Sequence, residues 1–179
     1  MRSLVAIVLF LSLNVSLQSQ MIKEWGLGPQ VVWNVPLAEP GIGARAHLHL
    51  SKRWFVSPSV TYFPGFNNIQ ELNAGAGINF KIWPSIKWTP YLNASAFYNR
   101  YINYASSPLA DAQPNNFLFD FGGGLVKNHG CWRPFAEYRV NSKWWESNFT
   151  LGILYYFKGC GSGGGGRGGH GDCPAFTQL

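Results

Sequence analysis

From residue 25 onward, apolar and polar residues alternate with a period of two. That is the pattern of a strand with one apolar face. Eight such segments follow one another: 25–35, 42–51, 54–63, 71–83, 90–104, 117–127, 132–141 and 149–157. In the second, Ile42, Ala44, Ala46, Leu48 and Leu50 alternate with Gly43, Arg45, His47, His49 and Ser51. In the fourth, Leu72, Ala74, Ala76, Ile78, Phe80 and Ile82 alternate with Asn73, Gly75, Gly77, Asn79 and Lys81. In the sixth, Phe117, Phe119, Phe121 and Leu125 oppose Asp120, Gly122 and Gly124. A tilted strand of about ten residues crosses a bilayer core.

The connections after strands two, four and six are short: 51–53, 84–87 and 128–131. The one after strand five, 105–116, is long, and those after strands one and three carry Pro and Gly. Short turns on one side and longer loops on the other fit a membrane barrel with its turns in the periplasm. Lipid cannot satisfy a strand's backbone groups, so a sheet in a bilayer must close on itself. Eight strands close around a lumen that side chains can fill. The face assigned to that lumen is polar and Gly-rich, and the other is apolar and aromatic, the reverse of a soluble barrel. The expected fold is all-β: an eight-stranded antiparallel up-and-down transmembrane β-barrel. Trp25, Trp54, Trp83, Trp88 and Trp132 fall at one set of strand ends, and Tyr62, Tyr104, Trp144 and Trp145 at the other. Trp and Tyr favour both membrane interfaces.

Composition agrees. Aromatic residues make up 16% of the 179-residue chain and charged residues 12%, against about a quarter charged in ordinary soluble domains. The net charge of +6 is scattered, with no basic cluster of the kind that nucleic-acid binding requires. Residues 1–20 read as a signal peptide: Arg2, an apolar run at 4–13, then Ser19 as a small residue for cleavage. Residues 21–158 form the expected barrel, and 159–179 a Gly- and Cys-rich tail, flexible by composition. Export implies an oxidising compartment. Of the three cysteines, Cys160 and Cys173 are the favoured disulfide, with Cys131–Cys160 as the rival pairing.

The charged residues of the lumen face are Arg45, His47, His49, Glu71, Lys81, Asp120, Glu137 and Arg139. Pairing strands six and seven around a His129-Gly130 turn sets Asp120 opposite Arg139, with Glu137 one inward position lower. Opposite charges away from bulk water must pair, so the lumen is expected to be plugged. His47 and His49 are half of a metal site at most; no metal and no cofactor are expected. Pro29, Pro58 and Pro134 fall inside strands and predict bulges or strand ends. Arg100, on the lipid-facing parity, predicts a position near the rim.

The eight-strand meander, the loop asymmetry and the last strand, Leu151-Gly152-Ile153-Leu154-Tyr155-Tyr156-Phe157, resemble the small OmpA/OmpX-type outer-membrane barrels over residues 23–158. The resemblance implies a bacterial outer-membrane location, and an even strand count puts both termini, and so the tail, on the periplasmic side. It also implies that Tyr155 and Phe157 form the signal read during barrel assembly, although 22 residues follow Phe157 here. It says little of activity, because such barrels serve as anchors, adhesins, lipid-A enzymes and assembly accessories. A lipid-A hydrolase would need Ser, His and an acid on the lipid-facing surface, whereas both strand histidines have inward parity. The expectation is a non-enzymatic structural or accessory subunit of an outer-membrane complex, in contact with lipid and lipopolysaccharide and with a protein partner docked through the tail. A narrow channel or ligand-binding barrel is one alternative. A secreted lipocalin-like carrier, with its apolar face inside, is another.

Overall fold

The computed structural model describes residues 24–65, 70–102 and 114–157. Eight strands follow in chain order: β1 Glu24–Asn34, β2 Glu39–His49, β3 Trp54–Phe63, β4 Gln70–Lys81, β5 Trp88–Ile102, β6 Asn115–Lys127, β7 Trp132–Asn141 and β8 Ser147–Tyr156. Each pairs antiparallel with the next, and β8 returns to β1 to close the barrel. The expected leader and tail, and Tyr104, lie outside the described residues.

The start of β1, the end of β8 and the connections 50–53, 82–87 and 128–131 gather at one end of the barrel, the terminal end. The strand ends that flank 35–38, 64–69, 103–114 and 142–146 lie at the other, the mouth. The expected asymmetry in loop length is therefore narrower than the sequence suggested. Strand ends extend past the alternating cores, and only 103–114 is long.

Alternation sorts the side chains as expected. Leu27, Val31, Ile42, Ile78, Leu92, Phe117, Phe119, Phe121 and Leu151 face outward and are exposed, Phe117 to 72%. A continuous apolar surface of this kind calls for a non-aqueous neighbour. Trp25, Trp54, Trp83, Trp88 and Trp132 ring the terminal end, and Tyr62, Trp144 and Trp145 the mouth. Arg100 faces outward near the mouth end of β5, opposite Leu72 and Asn115, where the bilayer cost of a charge is small.

The inward face differs from the expectation of a purely polar, glycine-rich lining. Phe55, Tyr91, Val126, Phe135, Leu154 and Tyr156 form a buried cluster inside the barrel. Five inward rings lie over glycines of a neighbouring strand: Tyr156 over Gly26, Phe63 over Gly41, Phe97 over Gly75, Tyr91 over Gly124 and Phe135 over Gly152. A Cβ on Gly152 would sit 2.6 Å from Phe135 Cζ. The missing side chains make room for the rings, a known device of curved sheets.

The prolines do not create bulges in the ladders. The β1–β8 ladder passes from Leu27↔Tyr155 to Gln30↔Gly152 in unbroken register, skipping Pro29. The β2–β3 ladder likewise passes from Arg45↔Ser59 to Leu48↔Val56, skipping Pro58. The β6–β7 ladder stops at Val126↔Phe135, beside Pro134. In each case the opposite edge of the proline stays paired, with Ala44, Ala76 and Ile153 respectively. A missing N–H is tolerated by a local lapse on one side.

Pro134 also explains a correction in register. The pairing that sets Asp120 opposite Arg139 is off by two residues: Asp120 faces Asn141, and Arg139 faces Gly122. With no donor at Pro134, β7 does not zip down to a two-residue turn at His129-Gly130. Cys131 is disulfide-bonded, which in a chain of three cysteines is incompatible with a Cys160–Cys173 cystine. Cys160 and Cys173 themselves lie outside the described residues.

Candidate functional site

The polar lumen is built in layers. At the terminal end, Arg133 of β7 pairs with Glu24 of β1 and lies over the Tyr156 ring, 3.9 Å from its centroid. Lys81 donates to Asn128 Oδ1 at 2.8 Å. Next comes the aromatic layer. The Tyr156 hydroxyl lies 3.1 Å from His47 Nδ1 and 3.0 Å from His49 Nε2, and His47 packs on Phe55 and Phe135. The two histidines thus share one phenol.

The central layer holds the strongest electrostatic arrangement. Glu137 is fully buried. Its Oε1 accepts from Arg45 Nη2 at 2.9 Å and lies 3.0 Å from Arg139 Nε, and its Oε2 accepts from the Tyr91 hydroxyl at 2.8 Å. Arg45 and Arg139 also lie over the Phe135 and Phe97 rings, at 4.9 and 4.8 Å. β2 and β7 are not neighbours, so the Arg45–Glu137 pair crosses the lumen. The expected Asp120–Arg139 pair forms on a diagonal and is longer, 3.5 Å from Oδ2 to Nη1. Arg139 therefore serves Glu137 first.

Around this cluster runs a belt of neutral hydrogen bonds. Asn93 donates to Asn79, Asn79 to Ser57, and Gln30 to Thr61. Glu71, which the sequence grouped with the other lumen charges, lies apart at the mouth. There it accepts from Asn73 and Asn99.

The structure thus brings Arg45, Asp120, Glu137 and Arg139 together, places His47, His49 and Lys81 below them, and leaves Glu71 above. The sequence reading missed Tyr91, Tyr156, Arg133 and Glu24. Parity alone assigns both tyrosines to inward positions, but the apolar residues beside Tyr91 mask the alternation there.

Of the two residues expected to carry an assembly signal, Phe157 stacks on Trp25 of β1 at 4.1 Å and meets Tyr155 edge-on at 5.2 Å. Its N–H donates to Trp25 O at 3.2 Å. Phe157 thus rivets the closing seam. Such ring pairs contribute about 0.5–1.5 kcal/mol each, too little to decide folding alone. Phe157→Ala is expected to lower the amount of folded barrel in cells several-fold while the purified variant still folds in detergent. Heat-modifiable migration in electrophoresis reads both quantities. Equal cellular levels would remove the assembly role.

No protein-family model and no curated protein sequence matches the chain. Solved structures do. The N-terminal β-barrel domain of Pseudomonas aeruginosa OprF superposes with a TM-score of 0.59 at 14% identity, over 76% of this chain and 98% of that one. The Yersinia pestis outer membrane protein Ail, in a phospholipid bilayer nanodisc, gives 0.51 at 16%, over 75% and 99%. A de novo designed transmembrane β-barrel gives 0.51 at 18%, over 74% and 94%. With its closed eight-strand meander, apolar exterior and charged interior, the chain has the fold of the small OmpA/OmpX-type transmembrane barrels.

Proposed function

We propose that the chain is a non-enzymatic integral protein of a bacterial outer membrane, a structural or accessory subunit whose barrel is a closed support rather than a conduit. The observation that carries this reading is the cross-lumen cluster of Arg45, Glu137, Arg139 and Tyr91, buried between aromatic rings. A charge cluster paired this closely fills the cross-section where a channel would need water. The two strand histidines, His47 and His49, are enclosed within the barrel, away from any lipid-borne substrate, which favours a non-catalytic role. In this reading the mouth faces outward, and the tail at 159–179 lies in the periplasm as a docking element for a protein partner.

Truncation after Lys158 tests both parts. The full-length barrel is expected to pass almost no current in planar bilayers, and the truncated barrel to assemble, remain non-conducting and lose a co-purifying protein. Steady conductance of the full-length protein would turn the reading to a narrow channel. A rise in conductance on truncation would make the tail a plug. Unchanged co-purification would dismiss the docking role.

A further inference from the structure

The mouth holds a polar cavity above the plug, with which it shares Asp120 and Arg139. Among its lining residues are Glu71 from β4, Asp120 from β6, Arg139 from β7, Glu146 from the 142–146 turn and Asn148 from β8. The turn is held in place from below: Asn141 Oδ1 accepts from the N–H groups of Lys143 and Trp144, at 2.7 and 3.2 Å. That bend carries Glu146 to the cavity, where Asn34 donates to its Oε2 at 3.1 Å.

Charge here is unbalanced. Glu71 and Glu146 receive amide donors, and among the described residues neither has an ion pair. Asp120 is only 5% exposed, and Arg139 reaches its Oδ2 from 3.5 Å while bound more closely to Glu137. Its Oδ1 has no hydrogen-bond partner, and neither do Asn73 Oδ1 and Asn148 Oδ1, which belong to the same lining. Lys143 stands at the edge, but its ammonium is bound to Asn116 and set against the Trp144 ring. Among the described residues the lining therefore carries three carboxylates, Glu71, Asp120 and Glu146, against one cation, Arg139, which is shared with Glu137.

Size and spacing narrow the class of ligand. The cavity volume is about 30 Å³, room for about two water-sized groups. That admits an ammonium head. Among the described residues no three carboxylate, His or Cys groups are close enough to hold one metal ion. Carboxylates spread this way suit a ligand whose own charges are spread, and each ammonium brings three donors for acceptor-only oxygens. We propose that the mouth binds a short linear polyamine, with one ammonium in the cavity against Asp120 and Glu71 and the next at the rim against Glu146.

The test is calorimetric titration of the full-length barrel, folded in an uncharged detergent, with spermidine. Wild type is expected to show one saturable site. Charge-assisted hydrogen bonds are worth about 1.5–3 kcal/mol each, so the Glu71→Gln/Glu146→Gln double variant is expected to bind at least about tenfold more weakly. Lys143→Gln lies on the exposed turn outside the strands and removes a competing like charge. It is expected to tighten binding several-fold, and it keeps the test decisive if the double variant fails to fold. Magnesium at matched ionic strength is expected not to displace spermidine. Absence of saturable binding, equal affinity in the double variant, unchanged or weaker binding in Lys143→Gln, or displacement by magnesium at equal strength would each overturn the proposal.

Discussion

Glu137→Ala is expected to destabilise the barrel by about 3–5 kcal/mol, the cost of removing one partner from a buried ion pair. The size follows from what the carboxylate leaves behind. Arg45 and Arg139 both point at it from inside the barrel, at 2.9 and 3.0 Å, and Tyr91 spends its hydroxyl on it. Without Glu137 two guanidinium groups stay buried in a closed space, with one carboxylate, Asp120, 3.5 Å from Arg139. Urea unfolding in lipid vesicles measures the loss. Replacing the cross-lumen pair together, as Arg45→Met/Glu137→Leu, removes one of the two stranded charges as well as the bond, leaves Arg139 to Asp120, and is expected to cost less than the sum of the two single changes. Additive losses would show that the two residues do not interact, whatever their separation.

Phe121→Arg is the second large effect, expected at about 2–4 kcal/mol. Phe121 lies midway along β6, faces outward between Ala94 and Val140 and is 58% exposed. In a membrane barrel that position meets the hydrocarbon centre. A charge at the mouth end of the same strand, Asn115→Arg, is expected to cost about 0–1 kcal/mol, since the penalty falls off toward the interface. The gradient separates a membrane-spanning barrel from a secreted carrier. On a water-exposed wall both substitutions would stay within about 0.5 kcal/mol, and Phe121→Arg would improve solubility. Unfolding from vesicles, compared for the two variants, decides.

What was legible in the sequence was parity. The strands, their number and the inward position of Arg45, His47, His49, Lys81, Asp120, Glu137 and Arg139 all follow from a period of two, because each residue's face is set by its neighbours along the strand. Partnership was less legible. Arg45 and Glu137 lie 92 residues apart on strands that do not touch, and only a narrow lumen brings them together. The error at Asp120 and Arg139 is of the same kind. A two-residue slip preserves every side chain's face, so alternation cannot detect it. The inward aromatics escaped for another reason. Phe55 and Tyr91 stand between outward apolar neighbours, Trp54 and Val56, Pro90 and Leu92, so the local run looks apolar on both faces and hides the ring that points in.

The rings that lie over glycines bear on the slips that alternation allows. A strand displaced by one residue turns its apolar face to the lumen and is rejected by solvation alone. A strand displaced by two is not. Phe135, however, fits over Gly152, whose inward neighbours on β8 are Thr150 and Leu154. Moving either way drives the ring into a side chain, so the β7–β8 seam admits one pairing. Tyr91 is blocked in one direction by Val126, Tyr156 by Glu24 and Phe63 by Glu39. Steric mismatch therefore supplies information that the membrane cannot. The glycines act as notches in a lock: they discriminate among barrels that lipid would accept equally, and they select the one in which Arg45 meets Glu137.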